Sequence, residues 1–498
     1  MAKPEQPGCG WSRRTLLAGS AALAGGMLAG RSAEARSPAP PTPAAFWGGI
    51  NQGTGFMPDD PYLSTCIRAS DALGLRTVRQ GMDTVGGATE GAAFDWRRRD
   101  AAFARYRAAG YRIHAVISFR NHVARPSRAQ WERNWRYFVR AVMQRYQDQV
   151  AIWIIDNEPE LAFGDYLPTA AECVTFTRIA WEVLHDLGLE AKCRIESPPV
   201  KSLESDFLQG MLEAGLARWC HVIGTHGYGA QIEDHRIRRP WDRLAGLGIT
   251  GRAVSISECG AIAAWAPAGY PGGGEAWRAI FHRQLRVQAK AFGYEYVLLF
   301  DLDRWRQREQ EWRMTTINGA GTDHTPIQPV WDAVRDSWGT PRSFANGGFE
   351  SAESGLGTWM VRHNPDLAAP PELRHVSFPR DAGRARTGSG YCRMDLAGHT
   401  TRLVVRQVAD GLTPGRRYRV TAYAWLSGGG ATLKALGFDR FKGPAERAAS
   451  TQARGSWTRL SVEVVPSNPW LVVELRSQGT NGAGQEVRWD DVGVTALA

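Results

Sequence analysis

Ala151-Ile152-Trp153-Ile154-Ile155-Asp156-Asn157-Glu158-Pro159-Glu160 begins with five apolar residues and ends in a run of carboxylates. The branched side chains of Ile152, Ile154 and Ile155 favour extended backbone. A run that is apolar at every position, rather than at alternate ones, suits a strand covered on both faces in a parallel sheet. The stretch therefore predicts a buried parallel strand with Glu158 just beyond its carboxyl end.

The same pattern recurs on either side. Phe46 to Ile50, Leu75 to Arg79 and Tyr111 to Phe119 read as strands before this one, with helical spacing from Arg97 to Ala109 and from Trp131 to Tyr146. Beyond it come strand candidates at Lys192 to Glu196, His221 to Thr225, Ala253 to Ser257 and Tyr296 to Phe300. Helical stretches around 171–187, 206–217 and 275–292 lie among them. Strands separated mostly by helices favour a closed (β/α)8 barrel over an open sheet, here spanning 44–338. After Gly339-Thr340-Pro341 the character changes to short extended segments broken by glycine and proline, including 417–425, 457–465, 470–476 and 487–494. The expected class is thus α/β, a TIM barrel followed by a smaller all-β sandwich at 344–498.

The amino-terminal end reads as a processing segment. Ser12-Arg13-Arg14-Thr15-Leu16-Leu17 opens a weakly apolar stretch through Ala29, and Ala33-Glu34-Ala35 offers small residues for cleavage. Residues 1–35 resemble a twin-arginine signal, which makes the export machinery a partner and the periplasm or the outside of the cell the destination. Residues 36–43, with four prolines, read as a short leader. Losing 1–35 removes Lys3, Arg13, Arg14 and Arg31 against Glu5 and Glu34, so the formal charge of +10 becomes +8. A positive surface favours acidic glycans or an anionic envelope, but charge supplies no catalytic mechanism. Nothing supports nucleic-acid binding: Arg97-Arg98-Arg99 reads as a solvated helix face, and finger spacings and paired aromatic and basic strand motifs are missing. Cys66, Cys173, Cys193, Cys220, Cys259 and Cys392 are too widely spaced for a zinc pattern and read as free buried thiols.

Cleaving a glycosidic bond requires a proton for the leaving oxygen while positive charge develops at the anomeric carbon. Two carboxyl groups can divide this work, and in a retaining arrangement they stand roughly 5–5.5 Å apart. Glu158 after the fourth strand and Glu258 after the seventh meet that need from separate strand ends. Trp153 to Glu160, with its Asn157-Glu158-Pro159, and Ser255-Ile256-Ser257-Glu258-Cys259-Gly260 resemble the two catalytic segments of glycoside hydrolase clan A. The resemblance covers about Phe46 to Trp338 and implies retention of configuration, with Glu158 as general acid/base and Glu258 as nucleophile. The competing readings are a Glu158 that caps a following helix, with Pro159 in its first turn, and a Glu258 that is an ordinary surface acid.

The resemblance extends to neighbouring positions. It places Asn157 beside the sugar hydroxyl next to the reacting carbon, Tyr228 on Glu258, His226 in the polar network or on substrate, and Arg79 in support of the nucleophile. Against these stand a local cap for Asn157, a satisfied loop histidine, a packing tyrosine and a structural ion pair of Arg79 with Asp83. Trp305, after the eighth strand, is a candidate sugar platform, with Trp265 and Trp277 behind it; packing at the barrel edge is the alternative for each. Glutamate-pair hydrolysis needs no metal or cofactor.

The terminal region resembles a carbohydrate-binding module at Asn346-Gly347-Gly348-Phe349-Glu350, Gly455 to Arg459 and Trp489-Asp490-Asp491. The expectation is an exported retaining glycosidase acting on a polysaccharide or oligosaccharide, on β-linked bonds and with endo action. The competing class is a noncatalytic glycan-binding protein on a decayed hydrolase barrel.

Overall fold

The computed structural model describes residues 48–498 except 52–59, 83–86, 163–165, 230–232, 271, 303–312, 319, 339–343, 351–358, 363–370, 397–401 and 480–483. The signal segment 1–35, the leader 36–43, Asp83 and Trp305 lie outside the described residues.

Eight parallel strands close on themselves in chain order: β1 (Gly48–Asn51), β2 (Thr77–Gly81), β3 (Arg112–Ile117), β4 (Val150–Ile155), β5 (Arg194–Glu196), β6 (Val222–Tyr228), β7 (Ala253–Gly260) and β8 (Val297–Leu299). Closure is seen at Ile50, which lies opposite Val78 on one side and Leu299 on the other, so neither end strand is left with an open edge. The helices are α1 (Asp60–Ala72), α2 (Arg97–Ala108), α3 (Arg128–Tyr146), α4 (Ala170–Asp186), α5 (Asp206–Glu213), the short α6 (Asp234–Ile237), α7 (Arg239–Gly246) and α8 (Gly273–Ala291). Two of them start where local chemistry directs. Ser127 accepts the amide of Gln130 to cap α3, and Thr169 with Glu172 forms a reciprocal capping box on α4.

Inside the barrel, Ile152, Ile154, Val222, Ala253, Tyr296 and Leu298 pack together. At the amino-terminal ends of the strands, Arg194 at the start of β5 grips the carboxylate of Glu295 with both terminal nitrogens, closing that end with a buried ion pair. Two strands run past the stretches marked by the sequence pattern: β6 continues through Tyr228 and β7 through Gly260. A register shift between Thr225 and His226 accompanies the extension and sets His226 directly opposite Glu258. His226, Tyr228 and Glu258 are therefore held by strand backbone rather than by loops.

After β8 come a hairpin of β9 (Thr315–Ile317) and β10 (His324–Pro326) and then α9 (Val330–Trp338), whose Trp338 indole donates to the His282 carbonyl at 3.0 Å. The remaining elements are β11 (Met360–Val361), α10 (Pro371–His375), β12 (Val376–Ser377), β13 (Cys392–Asp395), β14 (Leu403–Asp410), β15 (Tyr418–Leu426), β16 (Gly430–Leu436), β17 (Glu446–Thr451), β18 (Thr458–Val464), β19 (Trp470–Gln478) and β20 (Glu486–Ala496). They form two five-stranded sheets, β11-β14-β19-β16-β17 and β12-β13-β20-β15-β18. Tyr418, Val420, Ala422, Ala424 and Leu426 of β15 alternate inward, and Phe349, Trp359 and Trp489 lie in the same core. β14 is buried at every position because the outer face of its sheet rests on α8. That contact explains the buried polar residues of α8: Arg286 reaches Asp410 at 2.5 Å, Lys290 bonds the same carboxylate, and Gln288 bonds Asp234 at 2.9 Å.

Among the described residues Cys173, Cys193, Cys220, Cys259 and Cys392 are free thiols, and all of these and Cys66 are buried. Among the described residues no helix is long and apolar enough to cross a membrane.

Candidate active site

At the carboxyl ends of the barrel strands, Glu158, His226 and Glu258 converge, each with a ligating atom within 4.8 Å of the others. This is the face on which barrel enzymes carry their chemistry. Arg79 of β2 donates to Glu258 Oε2 at 2.8 Å, and Asn51, the last residue of β1, donates to the same oxygen at 3.2 Å. The Tyr228 hydroxyl donates to Oε1. Glu258, only 8% exposed, is thus a carboxylate with a donor on each oxygen and a guanidinium alongside.

Glu158 sits in a different setting. Its Oε1 is 2.9 Å from His226 Nδ1, and the other ring nitrogen of His226 is 3.9 Å from Glu258 Oε2. The histidine, fully buried, lies between the two carboxylates. Arg79 also ties the loop to Glu258, since its second terminal nitrogen bonds Asn157 Oδ1.

Burial, reinforced by the Glu258 charge, pushes the Tyr228 hydroxyl well above the ordinary tyrosine range, so it stays protonated and remains a donor. Deeper in the barrel, burial raises the Glu196 carboxyl, which accepts the Tyr296 hydroxyl and, at 3.1 Å, that of Ser255. His114 is pushed down by burial and by Arg112 and Arg194, and is neutral. The floor beneath the site is therefore polar but carries little free charge.

Glu158, Glu258, Arg79, His226, Tyr228 and Asn157 are brought together by the fold. The helix-cap reading of Glu158 does not hold: the residue stands in a turn closed by Leu161 N to Glu158 O at 2.9 Å, and α4 begins only at Ala170. Glu160, one step past Pro159, fastens that loop by accepting Lys201 N at 2.7 Å and the Ser205 hydroxyl at 2.9 Å. Trp277 is corrected. It lies on α8 with 1% exposure and stacks on Phe281, so neither ring face is open to a sugar. Trp265 is 45% exposed in a short turn after β7, its ring against Gly229 just beyond β6. Asn51 is the site residue that sequence reading missed. Its only signal was its place at the end of the first strand, next to a gap in recognisable pattern.

The cluster offers three donors of the kind that bind zinc, two carboxylates and an imidazole. Arg79 already holds Glu258 Oε2, however, and its positive charge opposes a second cation there. The arrangement is better suited to proton transfer and carboxylate chemistry, and a half-buried Glu158 and a buried Glu258 sharing a histidine at a barrel mouth support hydrolase activity in general.

No protein-family model and no curated protein matches the chain. Solved structures similar to it include a glucosidase from Croceicoccus marinus, 12% identical over 88% of this chain and 96% of that one, TM-score 0.46. The GH39 enzyme from Xanthomonas axonopodis pv. citri is 12% identical over 89% and 95%, TM-score 0.44. TmCBM61, solved with β-1,4-galactotriose, is 18% identical over 31% of this chain and 99% of that one, TM-score 0.25.

Proposed function

We propose that the chain is a retaining glycoside hydrolase of the clan A kind, cleaving β-linked bonds within a polysaccharide or oligosaccharide by double displacement. The observation that carries this reading is the asymmetry of two carboxylates whose nearest oxygens fall within 4.8 Å. So close an approach is compatible with the roughly 5–5.5 Å between the carboxyl groups of retaining pairs, and it supports that reading over the 6.5–9.5 Å of inverting ones. Glu258, with Arg79, Asn51 and Tyr228 as donors, is equipped to remain an anion and attack the anomeric carbon. Glu158, held at 2.9 Å by His226 and without a guanidinium on its carboxyl oxygens among the contacts described, is placed to protonate the leaving oxygen and then activate water. Two carboxyls whose surroundings differ in this way take the two roles.

Endo action is part of the proposal and rests on the accessory sandwich. The test is a glycan hydrolysis screen with product mass and anomer analysis. Glu258→Ala is expected to abolish glycosylation, with an added anionic nucleophile restoring turnover as an inverted product. A covalent intermediate on any other carboxylate refutes the assignment. Export rests on Ser12 to Leu17 and is tested by fractionating cells that carry Arg13→Lys with Arg14→Lys; undiminished export refutes the twin-arginine route.

A further inference from the structure

The loop that carries Glu158 is strained and contains no glycine between 156 and 160. Asp156 has φ 60° and Glu158 φ 45°, a left-handed conformation that costs a non-glycine residue free energy and persists only where the surroundings impose it. Those surroundings centre on Arg120, which follows β3. Its Nε donates to Asp156 Oδ2 at 2.7 Å, and both side chains of this pair are 1% exposed. The same guanidinium donates to the Asn157 carbonyl at 2.6 Å and the Leu161 carbonyl at 2.9 Å. Ser118 holds the other oxygen of Asp156 at 2.7 Å, and the Glu158 amide donates to the Pro199 carbonyl at 2.9 Å. One side chain therefore fixes residues on both sides of Glu158 and also reaches the Glu158 carbonyl, at 3.5 Å.

We propose that Arg120 is a positioning residue for the acid/base, forcing the 156–161 loop into the left-handed turn that aims the Glu158 carboxyl at the leaving oxygen. The inference rests on the glycosidase reading and adds to it a group outside the reacting cluster. A buried guanidinium must satisfy its remaining donors somewhere; Arg120 directs them at the backbone carbonyls of the loop that carries Glu158. If the carboxyl drifts, protonation of the leaving group suffers first, and attack by Glu258, held independently by β7, does not.

The experiment measures glycosylation by the full-length protein on 2,4-dinitrophenyl, phenyl and methyl glycosides of the sugar released in the hydrolysis screen, with Glu158→Ala as reference. Arg120→Lys keeps a charge beside Asp156 but cannot span both carbonyls. It is expected to lose on the order of 100-fold on the methyl glycoside, the cost of misplacing a catalytic group by about 1 Å. It should change less than about threefold on the dinitrophenyl glycoside, whose departure needs no proton. A uniform loss across the series, or none, while Glu158→Ala shows the leaving-group dependence, overturns the inference and leaves the glycosidase reading intact. A Glu158→Ala protein with no such dependence overturns the acid/base reading and this inference together. If Arg120→Lys does not fold, Ser118→Ala decides: about a fivefold loss confined to the methyl glycoside is expected, and a flat series refutes.

Discussion

Tyr228→Phe isolates one hydroxyl. The ring sits edge-on to Phe300 at 6.1 Å and to His226 at 6.3 Å, contacts that phenylalanine keeps, so the substitution removes the donor to Glu258 Oε1 without opening a cavity. Arg79 and Asn51 both act on Oε2, so neither replaces the donor that the substitution removes from Oε1. A hydrogen bond to a charged group is worth about 1.5–3 kcal/mol. At about 1.36 kcal/mol per tenfold, the glycosylation rate should fall by roughly 10-fold to 150-fold. The assay is single-turnover release of an aryl leaving group, with product anomer and thermal midpoint measured in parallel. Because an activated leaving group bypasses Glu158, the loss should be similar for good and poor leaving groups. A variant within about threefold of the wild type on both substrates would show that the hydroxyl does not orient the nucleophile, and the assignment of Tyr228 would fall.

Two further predictions concern stability. His282 on α8 is fully buried, and burial together with Arg278 holds its pKa down to about 3. It is neutral when folded and takes up a proton near pH 6.5 when unfolded, so its contribution is present above about pH 6.5 and is lost as the pH falls toward 3. Urea titration should show about 2 kcal/mol lost from this group between pH 7 and pH 5, and His282→Gln should remove that part of the slope; identical slopes refute it. Arg406 on β14 pairs with the buried Glu474 and bridges to Asp234 of α6 at 3.3 Å. Arg406→Met strands a buried charge and should cost about 3–5 kcal/mol by chemical denaturation; a loss under about 1 kcal/mol would mean the pair contributes little to holding the sandwich on the barrel.

The strand order was legible from local pattern, and the two glutamates were singled out by their strand-end places and by the resemblance of their motifs to clan A. A continuous apolar run such as 151–155 suits a doubly covered strand, and eight strands alternating with helices favour a closed barrel. Strand ends then place Glu158 and Glu258 on one face whatever the details of packing. The tertiary structure decided what one-dimensional periodicity cannot carry. Asn51 reaches Glu258 across 207 residues, and the shift at Thr225 and His226 sets a histidine between two carboxylates; both depend on register between strands distant in sequence. Trp277 stood as a secondary sugar-platform candidate with packing as its alternative, and packing holds: α8 is covered by α9 and by the outer face of the β14 sheet, which buries Trp277 along with Arg278, Arg286 and Lys290. The left-handed turn at Asp156 and Glu158 was hidden for the same reason: 156–160 contains no glycine to announce it, and the group that holds it, Arg120, comes from another strand end.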